Sequence, residues 1–281
     1  MRLQTASLIV CAALLSTYAL AAGNRKDFKY TVGNNASVNV VNQFGSVTLT
    51  PATGNQVVIA ATTHSDDVEA DCSQNGNRIE VRTHFLKSAN DSDGKVDYEI
   101  QVPNGAMVTA QVASGSIRAE RLAGDVTLKG DSASIEARNI NHAHVHANTV
   151  SGPITLADIT SGHVEIGTGS GKVSLTNVSG PSVTVNTTSS GINYDGDFGS
   201  SGAYQLATHS GPIDVQLPAS ASVEVKAESV NGNVQNDFPL QPKTHSDFKP
   251  QMGRSFQGFA NSGSSSVNLH SFSGTIRVKK R

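Results

Sequence analysis

The stretch SGPITLADITSGHVEIGTG, Ser151 to Gly169, is followed at once by SGKVSLTNVSGPSVTVNTTS, Ser170 to Ser189, and the two align on their Ser-Gly pairs. The first apolar position of each unit falls at Ile117, Ile135, Ile154, Val173, Ile192, Ile213 and Val234, separated by 18, 19, 19, 19, 21 and 21 residues. A second series, Val126, Val145, Val164 and Val183, is spaced 19 residues each time. Apolar and polar residues alternate in Ile154-Thr155-Leu156 and in Val164-Glu165-Ile166, which points one face of a strand inward and the other to water. An apolar edge two or three residues long cannot bury itself alone, so units of this kind must stack. The expected fold is therefore all-β: a β-solenoid, parallel β-helix-like, with two strands in each coil of about 19 residues.

The Ser-Gly positions recur at Gly115, Gly152, Gly171, Gly211, Gly232 and Gly274. They are expected at corners, where glycine permits a positive φ and Ser114, Ser151, Ser170 and Ser210 can bond local backbone. No strand-to-helix context surrounds them, so they are not read as phosphate loops.

Four segments follow. Residues 1–21 read as a signal peptide: Arg2 supplies the charge, Ala6 to Leu15 the apolar run, and Ala19-Leu20-Ala21 the cleavage site. The run is short of the roughly 20 residues of a membrane span, so no transmembrane anchor is expected after cleavage. Residues 22–112 form a less regular N-terminal β section, with strands such as Ser37-Val38-Asn39-Val40 and Tyr98-Glu99-Ile100-Gln101-Val102, which should cap one end of the stack. Residues 113–236 carry the solenoid repeats, and 237–281 an aperiodic loop with Pro239, Pro242 and Pro250 before strands that should close the far end. Asp195-Gly196-Asp197-Phe198 and Ala203-Tyr204 break the apolar columns, and a bulge is expected around residues 192 to 210.

The 281-residue chain is 37% hydrophobic but only 5% aromatic, without Trp, so its core must be built of Val, Ile, Leu and Ala. A formal net charge of -2 gives no electrostatic reason for nucleic acid as a partner. After cleavage Cys72 is the one cysteine left, so stacking rather than a disulfide must hold the fold; its thiol reads as half-buried and inert.

Asn42-Gln43-Phe44-Gly45-Ser46-Val47, the Tyr98–Gly105 segment leading into Ser114-Gly115-Ser116-Ile117, and the closing Phe272-Ser273-Gly274-Thr275-Ile276 resemble, in that order, the bacterial putative-adhesin family, domain of unknown function 4097. The resemblance implies an exported β-helical protein with an adhesive role, and it carries no catalytic residues to transfer.

One polar cluster bears on chemistry. If the Val126, Val145, Val164 and Val183 column stacks in register, Asp125, His144, His163 and Ser182 form one outer column and Thr127, His146, Glu165 and Thr184 the next. At a coil spacing of about 4.8 Å, His144, His146, His163 and Glu165 could surround a transition metal. The same pattern is that of a solvated polar ladder, and no metal or cofactor is assigned. Catalytic residues are likewise unassigned. The first outer column, Arg118, Glu136, Thr155, Ser174, Asn193 and Asp214, shows no second acid in an equivalent position, as a polysaccharide-cleaving β-helix would need. The expectation is a non-enzyme: an exported adhesin or cell-envelope binding module, periplasmic, cell-surface or extracellular, that meets a protein or glycan ligand through its outer face. The alternative is a periplasmic envelope-stress or sensory module that binds a peptide or partner protein; a polysaccharide-active enzyme comes third.

Overall fold

The computed structural model describes residues 23–88, 90–160, 162–243 and 251–281. The segment read as a signal peptide lies outside them. Six strands make the N-terminal section: β1 (Asn24–Thr31), β2 (Ser37–Pro51), β3 (Gln56–Thr63), β4 (Val68–Asn75), β5 (Arg78–Phe85) and β6 (Val96–Val102). The long strand β7 (Met107–Glu120) opens the regular coils: β8 (Val126–Gly130) with β9 (Ser134–Asn141), β10 (Val145–Thr149) with β11 (Ile154–Thr160), β12 (His163–Thr168) with β13 (Val173–Ser179), β14 (Ser182–Thr187) with β15 (Ile192–Asp195), and β16 (Ala203–Thr208) with β17 (Ile213–Leu217). The chain ends with β18 (Val223–Ser229), β19 (Val234–Asn236), β20 (Gln241–Pro242), β21 (Ser255–Ala260), β22 (Ser265–Ser271) and β23 (Ile276–Lys280).

Two sheets face each other across the core. Sheet I runs β4-β5-β2-β7-β8-β10-β12-β14-β16-β22-β18-β21-β20. Sheet II runs β1-β3-β6-β2-β7-β9-β11-β13-β15-β17-β23-β19. The long strands β2 and β7 belong to both, bending from one sheet to the other at Gly45 and Gly115, which pair with each other. Pairing is parallel through the coils because each coil repeats its predecessor's direction. It turns antiparallel at the N-terminal end of both sheets and at the C-terminal end of sheet I. The N-terminal section is thus a cap, formed by hairpin-type pairing that needs no further coil.

The register of both apolar series holds as far as Ile213. Val145 pairs with Val126 and Val164, and Val164 with Val183. On sheet II Ile154 lies between Ile135 and Val173. One continuous core results, made of Val, Ile, Leu and Ala with a few buried aromatics.

Three local expectations are corrected. The corner glycines are not there for a positive φ: of the six Ser-Gly positions only Gly115 has one, at φ 128. The others are needed for closeness. A Cβ on Gly152, Gly171, Gly211 or Gly274 would lie within 2 Å of the carbonyl oxygen of the adjacent coil. Ser151 likewise reaches the next coil rather than its own turn, its hydroxyl donating to Asp131 O at 3.4 Å. Positive φ values occur one corner later, at Arg121, Asn139, Asp158 and Asn177, residues that tolerate the left-handed region to different degrees. Asn177 Nδ2 donates to Asp158 Oδ1 at 3.0 Å across that corner.

Four of the corner glycines, Gly152, Gly171, Gly211 and Gly274, belong to a longer motif. Thr149, Thr168, Thr187, Thr208, Ser271 and Ser229 form a buried, in-register hydroxyl column along one side of the core. The hydroxyls of Thr149 and Thr168 each accept the backbone N–H three residues on, from Gly152 and Gly171, at 2.9 Å. Thr168→Val keeps the shape but strands that buried N–H, and is expected to lower stability by about 1–3 kcal/mol in a urea titration. A change within error would show that the N–H finds another acceptor.

The second correction concerns residues 192–210. The apolar columns are not interrupted. Tyr194 continues the Leu175 column and Tyr204 the Val183 column, both almost completely buried. Tyr194 stacks on Phe198 with centroids 4.2 Å apart, and Phe198 meets Tyr204 edge-on at 4.5 Å. The extra residues of this coil lie between β15 and β16. Its polar ends are satisfied: Tyr194 OH donates to Val178 O at 2.6 Å, and Tyr204 OH to Phe198 O.

The third concerns the far end. The last strands do not close it. β22 sits between β16 and β18, and β23 between β17 and β19, so the C-terminal coil is inserted one layer inside the stack. The end is covered by β21 and β20, from the region read as a loop. Residues 218–222 can skip the inserted layer, because five extended residues reach about 17 Å and two coil spacings need only about 10 Å. A polar demand selects β22 for the layer: buried Ser265 Oγ accepts Gly202 N at 3.1 Å and lies 3.2 and 3.0 Å from the carbonyl oxygens of Phe198 and Gly199. In direct contact with β16, β18 would place Val223 there. Valine satisfies none of these groups.

The bend at Gly45 is fixed by Asp97. Its Oδ1 accepts Ser46 N at 2.8 Å and Ser46 Oγ at 2.7 Å, while Oδ2 meets His64 Nε2 at 2.7 Å and Lys95 Nζ at 3.3 Å. Desolvation pushes this carboxyl up, but those bonds outweigh it and hold it below the usual aspartate range. A depressed folded-state value stabilises the fold fully above the unfolded-state value near pH 4, and that stability is lost as pH falls through the lower, folded value. Asp97→Asn is expected to lower stability by about 1–3 kcal/mol at pH 7. It should also shallow the loss of stability below about pH 4. Unchanged acid limbs in denaturation curves of the two proteins would count against this role.

Candidate functional site

The four outer-face residues of sheet I come together as two pairs. His144 and His163 lie ring to ring, centroids 5.0 Å apart and tilted by 47°. His146 Nδ1 is 3.1 Å from Glu165 Oε2, its in-register neighbour. The pairing follows from geometry: neighbours on adjacent coils are about 4.8 Å apart, whereas outward residues of one strand are separated by two residues, nearly 7 Å. Among the described residues no group of three or more His, Cys, Asp or Glu side chains is placed to hold a metal ion.

Sheet II carries the more developed site. Its outward residues form a grid. Ser174, Asn193, Asp214 and Arg277 stand in one column, and Thr176, Asp195, Gln216 and Lys279 in the next. Except for Arg277, which stands beside it, these residues line an open groove of about 530 Å³. Leu175, Tyr194 and Val215 alternate with these residues and are buried, so the groove offers only polar side chains from its strands. Arg277 Nη1 lies 3.2 Å from Asp214 Oδ1 and Arg281 Nε 3.0 Å from Asp195 Oδ1. Both carboxylates are thus positioned by cations from the inserted C-terminal coil.

From sequence Asp214 has no companion acid, because Asp195 falls in the stretch expected to break the columns. The signal was present in the alternation of Asn193-Tyr194-Asp195, polar-apolar-polar, with a tyrosine in place of an aliphatic residue. Arg277 and Lys279 carried no signal of their own, since their neighbourhood depends on where the last coil docks. Further along the same face Glu136 is bracketed by Arg118, at 2.9 Å, and Arg138. Desolvation opposes them, but the two guanidiniums hold its carboxyl below the usual range.

The largest upward shifts among the described residues belong to buried groups. Burial, with a smaller push from Asp71, moves the Cys72 thiol up to about 12, so it stays protonated and unreactive near neutrality. Burial also raises Tyr98 and Tyr194. The tyrosines are core groups and the half-buried thiol packs against the core, and none is a poised acid or base.

No helix of the described residues is long and apolar enough to cross a membrane. No curated protein matches the chain. A solved structure described as a putative cell adhesion protein from Clostridium sporogenes aligns over 92% of this chain and 100% of its own at 15% identity, with a TM-score of 0.27, too low a likeness to argue from. The family model described as Toastrack DUF4097 matches residues 37–279, most of the two-sheet solenoid, and the chain belongs to that family.

Proposed function

We propose that the protein is an exported, non-enzymatic binding module, an adhesin of the cell envelope or surface, and that it engages its ligand through the repetitive polar outer face of the solenoid. The groove on sheet II carries this reading. Its side chains are held in a fixed grid by parallel strands paired on both sides, which is the preorganisation that binding requires. Export is supported by the N-terminal charge, apolar run and Ala19-Leu20-Ala21. A binding rather than catalytic role is supported by the ion pairs, in which each groove carboxylate is engaged by an arginine of the inserted coil.

Fractionation of cells that carry an epitope-tagged copy tests the reading. Mature protein starting at Ala22, accessible to antibody on intact cells, is the expected result. A purely periplasmic pool would turn the assignment to a sensory module that binds a peptide or partner protein. Turnover of any member of a polysaccharide panel would overturn the non-enzymatic part.

A further inference from the structure

We infer that the sheet II groove takes an uncharged, hydroxyl-rich glycan segment, and that the inserted C-terminal coil completes the site. The inference rests on the binding-module reading above and adds the ligand's chemistry to it. Three observations narrow the class. The groove lies in the middle of a sheet, where β15 is paired with β13 and β17, and β17 with β23, so no strand edge is open to an added peptide strand. The outward positions of those strands hold no apolar side chain, so an apolar anchor residue finds no pocket. Charges nearly balance at the groove: Asp214 meets Arg277 and Asp195 meets Arg281, and Lys279 adds one cation, so no strong field of one sign selects a polyanion.

What remains is a dense array of fixed donors and acceptors. Ser174, Thr176, Asn193 and Gln216 offer hydroxyls and amides, and Asp214 and Asp195 add carboxylate acceptors beside arginine, although Asp195 Oδ1 itself is buried. Hydroxyl pairs of a sugar chain match such a surface because each hydroxyl donates and accepts at once. The coil repeat, about 4.8 Å, presents the array again along the solenoid axis, which suits an extended chain. Arg277, Lys279 and Arg281 come from the last strand and the residue after it, so the site exists only when β23 is docked. Ligand and C-terminal coil therefore stabilise each other by mass action.

The test uses the full mature chain and defined probes: cellotetraose, maltotetraose and chitotetraose as uncharged chains, tetragalacturonate as an anionic one, and a Ser/Thr-rich peptide. Titration calorimetry is expected to show saturable binding of at least one uncharged probe. Asn193→Ala should weaken it at least five-fold and Gln205→Ala, on the opposite sheet, should leave it unchanged. Hydrogen exchange of residues 276–281 should slow with the bound probe. Binding of only the anionic probe or the peptide, weakened by Asn193→Ala, would overturn the glycan class while leaving a binding module. Binding insensitive to Asn193→Ala, or no binding by any probe, would overturn the site itself.

Discussion

Gly171→Ala is expected to lower the unfolding free energy by about 3 kcal/mol or more, near the upper end of single-site effects. The added Cβ would sit 1.8 Å from the carbonyl oxygen of Gly152 and 2.9 Å from Thr168 Oγ1. Relief by rotation is not open to either backbone, because Gly171 N is already bonded to Thr168 Oγ1 at 2.9 Å in a buried corner. The coils must therefore part locally, and that breaks core contacts on both sides. Ser170→Ala, next to it but exposed, should change stability by less than about 0.5 kcal/mol. Urea midpoints of the two variants separate the cases. Similar small losses in both would mean that the corner is looser than a Cβ requires.

Removal of residues 262–281 is expected to unfold more than it removes. β18 and β19 meet the coil before them only through β22 and β23, so the deletion leaves a gap one strand wide. It also strips Gly202 N and the nearby Phe198 and Gly199 carbonyls of Ser265. Amides of β18, β19 and β21, none of them altered, should lose about a hundred-fold or more of their exchange protection, while those of β8 to β13 keep most of theirs. The contrast follows from the one-dimensional stability of stacked coils, in which each layer depends on its neighbours. Retained protection in β18, β19 and β21 would show that β18 can dock on β16 directly and that the insertion is not required. A milder version, Val267→Asp, places an unpaired charge at a buried position and should give the same pattern.

How much could be read in advance differs from one feature to the next for physical reasons. The inward columns were legible because side-chain direction alternates with period 2 whatever the neighbours are. Register between coils followed, since Val126, Val145, Val164 and Val183 can bury one another only when aligned. Tyr194 and Tyr204 were misread as interruptions because the repeat was defined on aliphatic residues, although a buried tyrosine fits once its hydroxyl finds a carbonyl. The hydroxyl column was overlooked for the converse reason: Thr149 and Thr168 look polar, and only the bond to a buried N–H three residues on explains their place inside. His144, His146, His163 and Glu165 were placed on the correct outer columns, but the columns do not converge on a point.

The primary structure alone fixes the coil: its length, its two strands, its inward faces and the stacking they force, all of which follow from local alternation and the burial of apolar edges. It did not determine the order of the last coils. Val234 and Ile276 both present the pattern that pairs with Ile213, and periodicity cannot choose between them. The tertiary structure chose, because Ser265 answers the polar groups of the 196–202 turn and Val223 would not. The groove on sheet II followed from that choice, since the cations that hold Asp195 and Asp214 arrive with the inserted coil.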